Sequence, residues 1–136
     1  HGVDEKRRVQ IPAKWRAEKP QVLTMVLWPK GTMTEACILV LPPAEWAALI
    51  QKVKSKDLHE TRVQALRNLL GRRSDRVVPD RVGRICLPEA MAKAAAIENE
   101  AMLVGMLDHF AIWNPDRYAA SSAVDDQMLF EAFQLI

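Results

Sequence analysis

The sequence predicts a mixed α+β protein, rich in strands and built from two pseudo-symmetric halves. Residues 4–12 (DEKRRVQIP) return 76 positions later as residues 80–88 (DRVGRICLP), with Asp, Arg, a β-branched residue, an aliphatic residue and Pro in the same places. Farther along, residues 38–46 resemble residues 110–118, here at an offset of 72. A repeat of this kind constrains the fold more than any single residue does.

The composition is that of an ordinary folded domain. Of the 136 residues, 49% are hydrophobic and 26% are charged. One half alone, at roughly 60 residues, would bury a marginal core, so we expect the halves to pack on each other or on other protomers. The net charge is only +2, but basic residues cluster at the start and in the middle of the chain. Such clusters can attract phosphate, although they are more often a solvated face.

The first half reads as strands followed by helices. Residues 8–11 predict a short strand that Pro12 ends, and Pro12 can open a helical turn. Residues 22–28 and 37–41 predict a hairpin, with turn residues at 29–32. A helix then follows Pro42, because apolar residues recur there at helical spacing. The members of that stripe are Trp46, Leu49, Ile50 and Val53.

A second helix and a repeat of the strand order follow. Asp57 with Glu60 predicts a capping box, Gly71 suits the helix end, and residues 72–76 form a basic link. The second half then predicts a strand at 84–87, a helix at 89–96, a hairpin of 102–107 with 110–113, a helix from 115 to 120, and an apolar tail helix after a break at 121–122. The predicted units are a first half at 1–54, a helical and basic linker at 55–76, a second half at 77–120 and a variable tail at 121–136.

Sequence features of enzymes and of secreted or membrane proteins are weak. The chain has no nucleotide-binding glycine loop, no dinucleotide fingerprint and no nucleophile elbow. His1, His59 and His109 are scattered, and Cys37 and Cys86 lack zinc-ligand spacing. We therefore expect no enzyme activity, no metal and no cofactor. The two cysteines predict buried, reduced thiols, and without a signal peptide or membrane span we expect a cytoplasmic protein.

The informative pattern is a pair of Asp-x-x-x-Arg motifs, Asp4 with Arg8 and Asp80 with Arg84, each before a strand. An Asp in this place can bond to the amides of a turn and fix the following Arg. A fixed guanidinium can take two acceptors at once, either O6 and N7 of guanine or a phosphate. The spacing alone also allows an internal ion pair that only pins the turn.

Residues 4–16 and 80–88 resemble the two halves of an MraZ protein. The family pattern is Asp-x-Lys-Gly-Arg, a β-branched residue, then x-aliphatic-Pro-x-x-aromatic-Arg, with Asp-x-x-Gly-Arg in the second half. The hairpin that ends in residues 112–118 and the helical middle also resemble that family. Because the chain begins at His1, close to the first motif, we expect most of the family's opening strand to be missing.

The resemblance implies two AbrB-like swapped-hairpin units packed together, with flanking helices. It implies a sequence-specific DNA-binding transcriptional regulator, associated with the nucleoid, that binds repeated sites upstream of the division and cell-wall gene cluster. The partners implied are double-stranded DNA with promoter repeats and further copies of the chain in a ring-like homo-oligomer. Two other interpretations stay open, namely a ring-forming scaffold whose basic edge binds protein or non-specific nucleic acid, and an AbrB-type antitoxin.

The same resemblance assigns roles to individual residues. Arg8 and Arg84 would reach base edges, while Asp4 and Asp80 would orient them. The remaining predicted DNA-binding residues would meet phosphates and set the register, and these are Lys6, Arg7, Lys14 and Arg81. Val82 stands where the first copy has Lys6, which predicts a weaker contact there. Arg7 replaces the family's Gly and would be strained if the backbone requires a positive φ.

Overall fold

The computed structural model describes residues 1–30 and 32–136, and the side chains of all of these except 32–35. Strands and helices alternate in an order that repeats once along the chain. Their bounds are β1 Arg8–Gln10, a 3₁₀ turn Ala13–Trp15, β2 Leu23–Lys30, β3 Thr32–Leu41, α1 Pro43–Lys54, α2 Thr61–Arg72, β4 Ser74–Val77, β5 Arg84–Cys86, α3 Glu89–Ala94, β6 Met102–Met106, β7 His109–Trp113, α4 Pro115–Gln127 and α5 Leu129–Phe133. The predicted α+β class is confirmed.

The strands form two antiparallel sheets, and both of them join the two halves. One sheet has five strands in the order β4-β2-β3-β7-β6, and the other is a two-stranded ribbon of β1 and β5. In the ribbon Val9 lies opposite Ile85, and in the larger sheet Leu39 lies opposite Ala111. Each of these pairs joins equivalent positions of the repeat. The halves are therefore related by a local two-fold axis through both pairs.

The five-stranded sheet lies between two layers because its strands alternate their side chains between the two faces. Leu23, Met25 and Ile38 face the ribbon and α3, where Val9 and Ile85 are buried with them. On the opposite face, apolar residues of β2 and β3 pack against α1 and α2, and those of β3 and β7 pack near α4. The ribbon therefore has one buried face and one face open to solvent.

Three local predictions were wrong at element boundaries. The second helix begins at Thr61 rather than after Asp57, because the Asp57 carboxylate accepts the His59 N–H at 2.9 Å and closes a turn before the helix. The basic link contains β4, which pairs with the edge of β2. The tail helix α4 runs through Ser121 and Ser122 without a break, since the Ser122 hydroxyl donates back to the Ala119 carbonyl at 3.2 Å.

Other predictions have mixed outcomes. The turn predicted at 29–32 centres on Gly31, which lies outside the described residues. Cys37 is buried as predicted, and its burial raises the pKa of its thiol to about 11, but Cys86 is exposed because it lies on the solvent face of the ribbon. Among the described residues, no helix combines the length and the apolar character that crossing a membrane requires.

Candidate nucleic-acid interface

Two tight turns precede the strands of the ribbon, the first turn at residues 4–8 and the second turn at residues 80–84. In the first, the Arg7 N–H donates to the Asp4 carbonyl at 2.9 Å. In the second, the Gly83 N–H donates to the Asp80 carbonyl, also at 2.9 Å. The repeated sequence motif therefore folds into a repeated backbone turn.

The Asp carboxylate organises the first turn. One oxygen of Asp4 accepts the backbone N–H groups of Lys6 and Arg8 at 2.9 and 2.8 Å. Its other oxygen accepts the Nε–H of Arg8 at 2.7 Å. A single carboxylate thus fixes both the turn backbone and the guanidinium that follows it.

The second turn repeats this arrangement. The Asp80 Oδ1 atom accepts the N–H groups of Val82 and Arg84 at 3.1 and 2.9 Å, and its Oδ2 atom accepts the Arg84 Nε–H at 2.8 Å. The Asp–Arg contact that the spacing allowed is present in both copies. It uses only the Nε side of each guanidinium, and no hydrogen bond among the described residues involves the Nη atoms of Arg8 or Arg84.

Both arginines lie on the solvent face of the ribbon. Val9 and Ile85 point into the core, so their strand neighbours Arg8 and Arg84 face outward. The Arg8 and Arg84 side chains are 33% and 36% exposed. From their pairing register we estimate that their Cα atoms lie about 8 Å apart. The two guanidinium groups therefore share one open surface although each has an internal carboxylate partner.

Hydrogen bonding lowers the pKa of both carboxyl groups. The backbone N–H of Arg8 is the main cause for Asp4, and that of Arg84 is the main cause for Asp80, with the guanidinium groups adding to the effect. Both values fall below the ordinary 3.8. The carboxylates are therefore ionised, and the two turns are closed, at neutral pH.

These pKa shifts predict an acid-sensitive contribution to stability. Because the folded pKa is below the unfolded one, the contribution is complete above the unfolded value and is lost as pH falls through the folded value. We expect the unfolding temperature of the double variant Asp4→Asn Asp80→Asn to fall less than that of wild type between about pH 6 and about pH 3. Thermal unfolding followed by circular dichroism measures this. Equal acid dependence of the two proteins would contradict it.

The fourth residue of each turn has left-handed backbone geometry. Gly83 has φ = 84°, which glycine adopts without strain, whereas Arg7 has φ = 59° at the equivalent position. The strain expected from the Gly-to-Arg departure is therefore present, at about 1–2 kcal/mol for a residue with a side chain. The Nε–H of Arg7 donates to the Leu87 carbonyl at 3.0 Å, which offsets part of that cost.

Each half also braces the turn of the other. In the second turn, the Val82 carbonyl accepts hydrogen bonds from Gln10 Nε2 at 2.6 Å and Arg16 Nη1 at 3.0 Å, and the Gly83 carbonyl accepts the Ile11 N–H at 2.9 Å. In the first turn, the Lys6 carbonyl accepts the Cys86 thiol at 3.2 Å, and the Arg7 carbonyl accepts the Leu87 N–H at 2.9 Å.

Sequence reasoning missed Gln10 and Arg16 as parts of the site. Gln10 contacts a residue 72 positions away and Arg16 one 66 positions away, so no local spacing signals either contact. The only available signal was the repeat itself, which predicts that the two turns lie near equivalent parts of the opposite half.

The structure places the other predicted site residues around these turns. Lys6 and Arg81 are exposed within the first and second turns. Lys14 is exposed on the 3₁₀ turn, with its Nζ atom 5.9 Å from the ring centre of Trp15. A cavity of about 710 Å³ lies beside the second turn, and Lys14, Arg16 and Arg81 are among its lining residues. All eight predicted residues therefore lie on or beside the two turns of the ribbon.

Asp108 and His109 lie at the tip of the second hairpin, and both also line the cavity beside the second turn. The His109 Nδ1 atom is 2.7 Å from an Asp108 carboxylate oxygen at the tip of the second hairpin. A hydrogen bond between Asp108 and Glu45 raises the pKa of Glu45. Among the described residues, no three His, Cys, Asp or Glu side chains group as a metal site requires. This cluster ties the hairpin to the start of α1.

Comparison with known proteins identifies similar chains. The family model described as "MraZ protein, putative antitoxin-like" matches residues 72–134. The Transcriptional regulator MraZ of Thermomicrobium roseum is 33% identical over 124 residues, which cover 90% of this chain and 82% of that protein. The protein of the same name from Idiomarina loihiensis is 30% identical, covering 90% and 81%. That from Actinobacillus pleuropneumoniae is 28% identical, again covering 90% and 81%.

Proposed function

Since this chain belongs to the MraZ family, we propose that it is a transcriptional regulator that binds specific DNA sequences through the solvent face of its ribbon. The proteins similar to this chain are named as transcriptional regulators, and the chain is not an enzyme. The observation that carries the proposal is the pair of Asp-fixed guanidinium groups on one open face.

Base reading is assigned to Arg8 and Arg84. A guanidinium held at Nε keeps its Nη atoms for a ligand, and a bidentate contact to O6 and N7 of guanine is the commonest specific contact in the major groove. The groove is about 12 Å wide and admits a two-stranded ribbon. An estimated Cα separation of about 8 Å corresponds to roughly two base-pair steps of about 3.4 Å. Asp4 and Asp80 orient these arginines and do not touch DNA.

Backbone contacts are assigned to the neighbouring cations. Lys6, Arg7, Lys14 and Arg81 lie on or beside the turns and would neutralise phosphates, which positions the protein without reading sequence. The ordering of Arg7 against Leu87 places one guanidinium at the first turn before DNA arrives. Positioning residues of this type produce affinity that depends steeply on salt.

Repeated sites would multiply a weak single contact. One protomer offers two base-reading arginines, so we propose that a ring-like homo-oligomer binds several repeats upstream of the division and cell-wall gene cluster. Linked sites raise the effective concentration when their spacing matches that of the repeats. Light scattering with and without such a duplex tests this assembly, and a monomer under both conditions would contradict it.

A gel-shift assay tests the DNA-binding function itself. The upstream region of the protein's own gene and a scrambled duplex of equal composition are compared at about 150 mM salt, where non-specific affinity is weak. We expect the upstream duplex to bind roughly a thousandfold more tightly. Equal binding of both would support instead the scaffold with a basic edge that holds non-specific nucleic acid or an acidic protein.

Lys6→Ala should weaken binding without changing base preference. Loss of one phosphate contact lowers the slope of log affinity against log salt by about 0.9 per engaged protomer. Titrations of both duplexes at several salt concentrations measure the slope and the preference together. Changed base preference with an unchanged slope would assign Lys6 to base reading instead.

The family description also favours a second candidate, an AbrB-type antitoxin, because its wording includes "antitoxin-like". An antitoxin binds a toxin partner as well as its own promoter. Fusion of both repeat copies in one chain argues against this role. Purification of the protein from its source cells tests it, since an antitoxin would co-purify with a small partner at a fixed ratio.

A further inference from the structure

We propose that Arg16 supplies to the second turn the positive charge that Lys6 supplies to the first. This inference rests on the proposed DNA-binding function and adds a residue to that interface. Position 82, which is equivalent to Lys6, is occupied by Val, so the second turn has no cation of its own there. The guanidinium of Arg16 lies against this position, with Nη1 donating to the Val82 carbonyl at 3.0 Å.

Gly83 makes room for this arrangement. A Cβ atom at position 83 would lie 2.4 Å from Cδ and 2.5 Å from Nη1 of Arg16, so any larger residue there would displace the arginine. The space above the left-handed residue of the second turn is therefore filled by a side chain from the first half. In the first turn the corresponding residue is Arg7, which has its own side chain.

The second half has no counterpart of Arg16 at the equivalent position. The residue 76 positions after Arg16 is Ala92, which is only 3% exposed and belongs to the core beneath the ribbon. The position equivalent to Arg16 therefore supplies no cation to the first turn, which has Lys6. Arg81 does not replace Arg16 in this role, because it stands one position earlier, where the first turn has Glu5.

The guanidinium of Arg16 retains donors for a phosphate. Arginine has five N–H donors, and the contact with Val82 uses one of them. The residue as a whole is exposed. The contact with the Val82 carbonyl holds the charge of Arg16 at the second turn. Gln10 donates to the same carbonyl and keeps the turn braced when Arg16 is changed.

Salt titration of duplex binding tests this role. Arg16→Gln should lower the slope of log affinity against log salt by about 0.9 per engaged protomer, so that the affinity ratio between about 50 and about 200 mM salt falls by about threefold. Arg16→Lys should keep the slope. The double variant Arg16→Gln Val82→Lys should recover it, because a lysine then stands where the first turn has one.

Two controls show whether a change in binding comes from the charge of Arg16 at the second turn. One tests the effect of the protein's net charge, and the other tests the effect of hydrogen bonding that only braces the turn. Lys52→Gln removes one exposed charge from α1, on the opposite side of the larger sheet, and should leave the slope unchanged. If Arg16 only braces the turn, Arg16→Gln lowers affinity equally at every salt concentration and leaves the slope unchanged, which overturns the inference.

The same titration distinguishes this failure from failure of the proposed function. Every variant is measured on the upstream duplex and on the scrambled duplex, and melting temperatures show that each is folded. Wild-type protein that prefers the upstream duplex, with an unchanged slope for Arg16→Gln, overturns the role of Arg16 alone. Wild-type protein without any preference overturns the proposed function and this inference together.

Discussion

The double variant Arg8→Ala Arg84→Ala is expected to lose sequence-specific DNA binding while remaining folded. Each lost bidentate contact to guanine costs about 1–3 kcal/mol per engaged site, or roughly five- to 150-fold in affinity. Both side chains lie on the solvent face of the ribbon, so their removal leaves the core beneath unchanged. Gel shifts on the upstream and scrambled duplexes measure the loss, and we expect the preference between the two duplexes to shrink.

A matched variant separates base reading from loss of charge. Arg67→Ala Arg72→Ala removes the same charge from exposed positions of α2, across the five-stranded sheet from the ribbon. It should retain the preference for the upstream duplex. The single variants Arg8→Ala and Arg84→Ala should each relax preference at a different base. Unchanged specificity in the folded Arg8→Ala Arg84→Ala protein would exclude these residues as the readers of sequence.

Ile85→Ala is expected to destabilise the whole molecule. Ile85 is 1% exposed and lies opposite Val9 at the centre of the ribbon, where both halves meet the larger sheet. Truncation of a buried Ile to Ala typically costs about 2–5 kcal/mol, since the surrounding core only partly closes the cavity. Urea denaturation at a fixed protein concentration measures the change in the free energy of unfolding.

Val82→Ala is the control for this experiment. Val82 is 54% exposed in the second turn, so removal of its methyl groups should change the free energy of unfolding by less than about 0.5 kcal/mol. An equal, small effect of both substitutions would show that the ribbon is not packed as a central element. If Ile85→Ala lowers the free energy of unfolding as expected, this variant should also bind DNA more weakly through both turns at temperatures near its unfolding transition.

The repeat and its turns could be predicted because their causes are local. Asp80 reaches the N–H groups of Val82 and Arg84 within the same five residues, so the motif contains its own hydrogen-bond partners. The spacing of Trp46, Leu49 and Val53 likewise predicted α1. Trp46 and Leu49 pack against the apolar cluster that contains buried Val53, on the face of the larger sheet that α1 and α2 cover. The roles proposed for the eight site residues remain predictions.

The rest could not be predicted because distant contacts decide it. β4 forms where charged residues predicted a link, since the edge of β2 offers unpaired backbone groups and the Leu27 N–H also donates to the Arg73 carbonyl. Asp57 is a good capping residue, but its carboxylate serves a turn and the helix begins four residues later. The bracing by Gln10 and Arg16 depends on the docking of one half against the other, which no window of sequence contains.

The unequal turns give the molecule a polarity. A dimer of two identical half-units would present the same end in both directions and could not distinguish a site from its reverse. In this fused chain one end of the ribbon has Lys6 and Arg7. The other end has Val82 and Gly83, together with the Arg16 side chain from the first half. Rotation by half a turn about the local axis therefore does not superimpose the side chains of the two ends. The two orientations of a single protomer on a DNA site are consequently not equivalent.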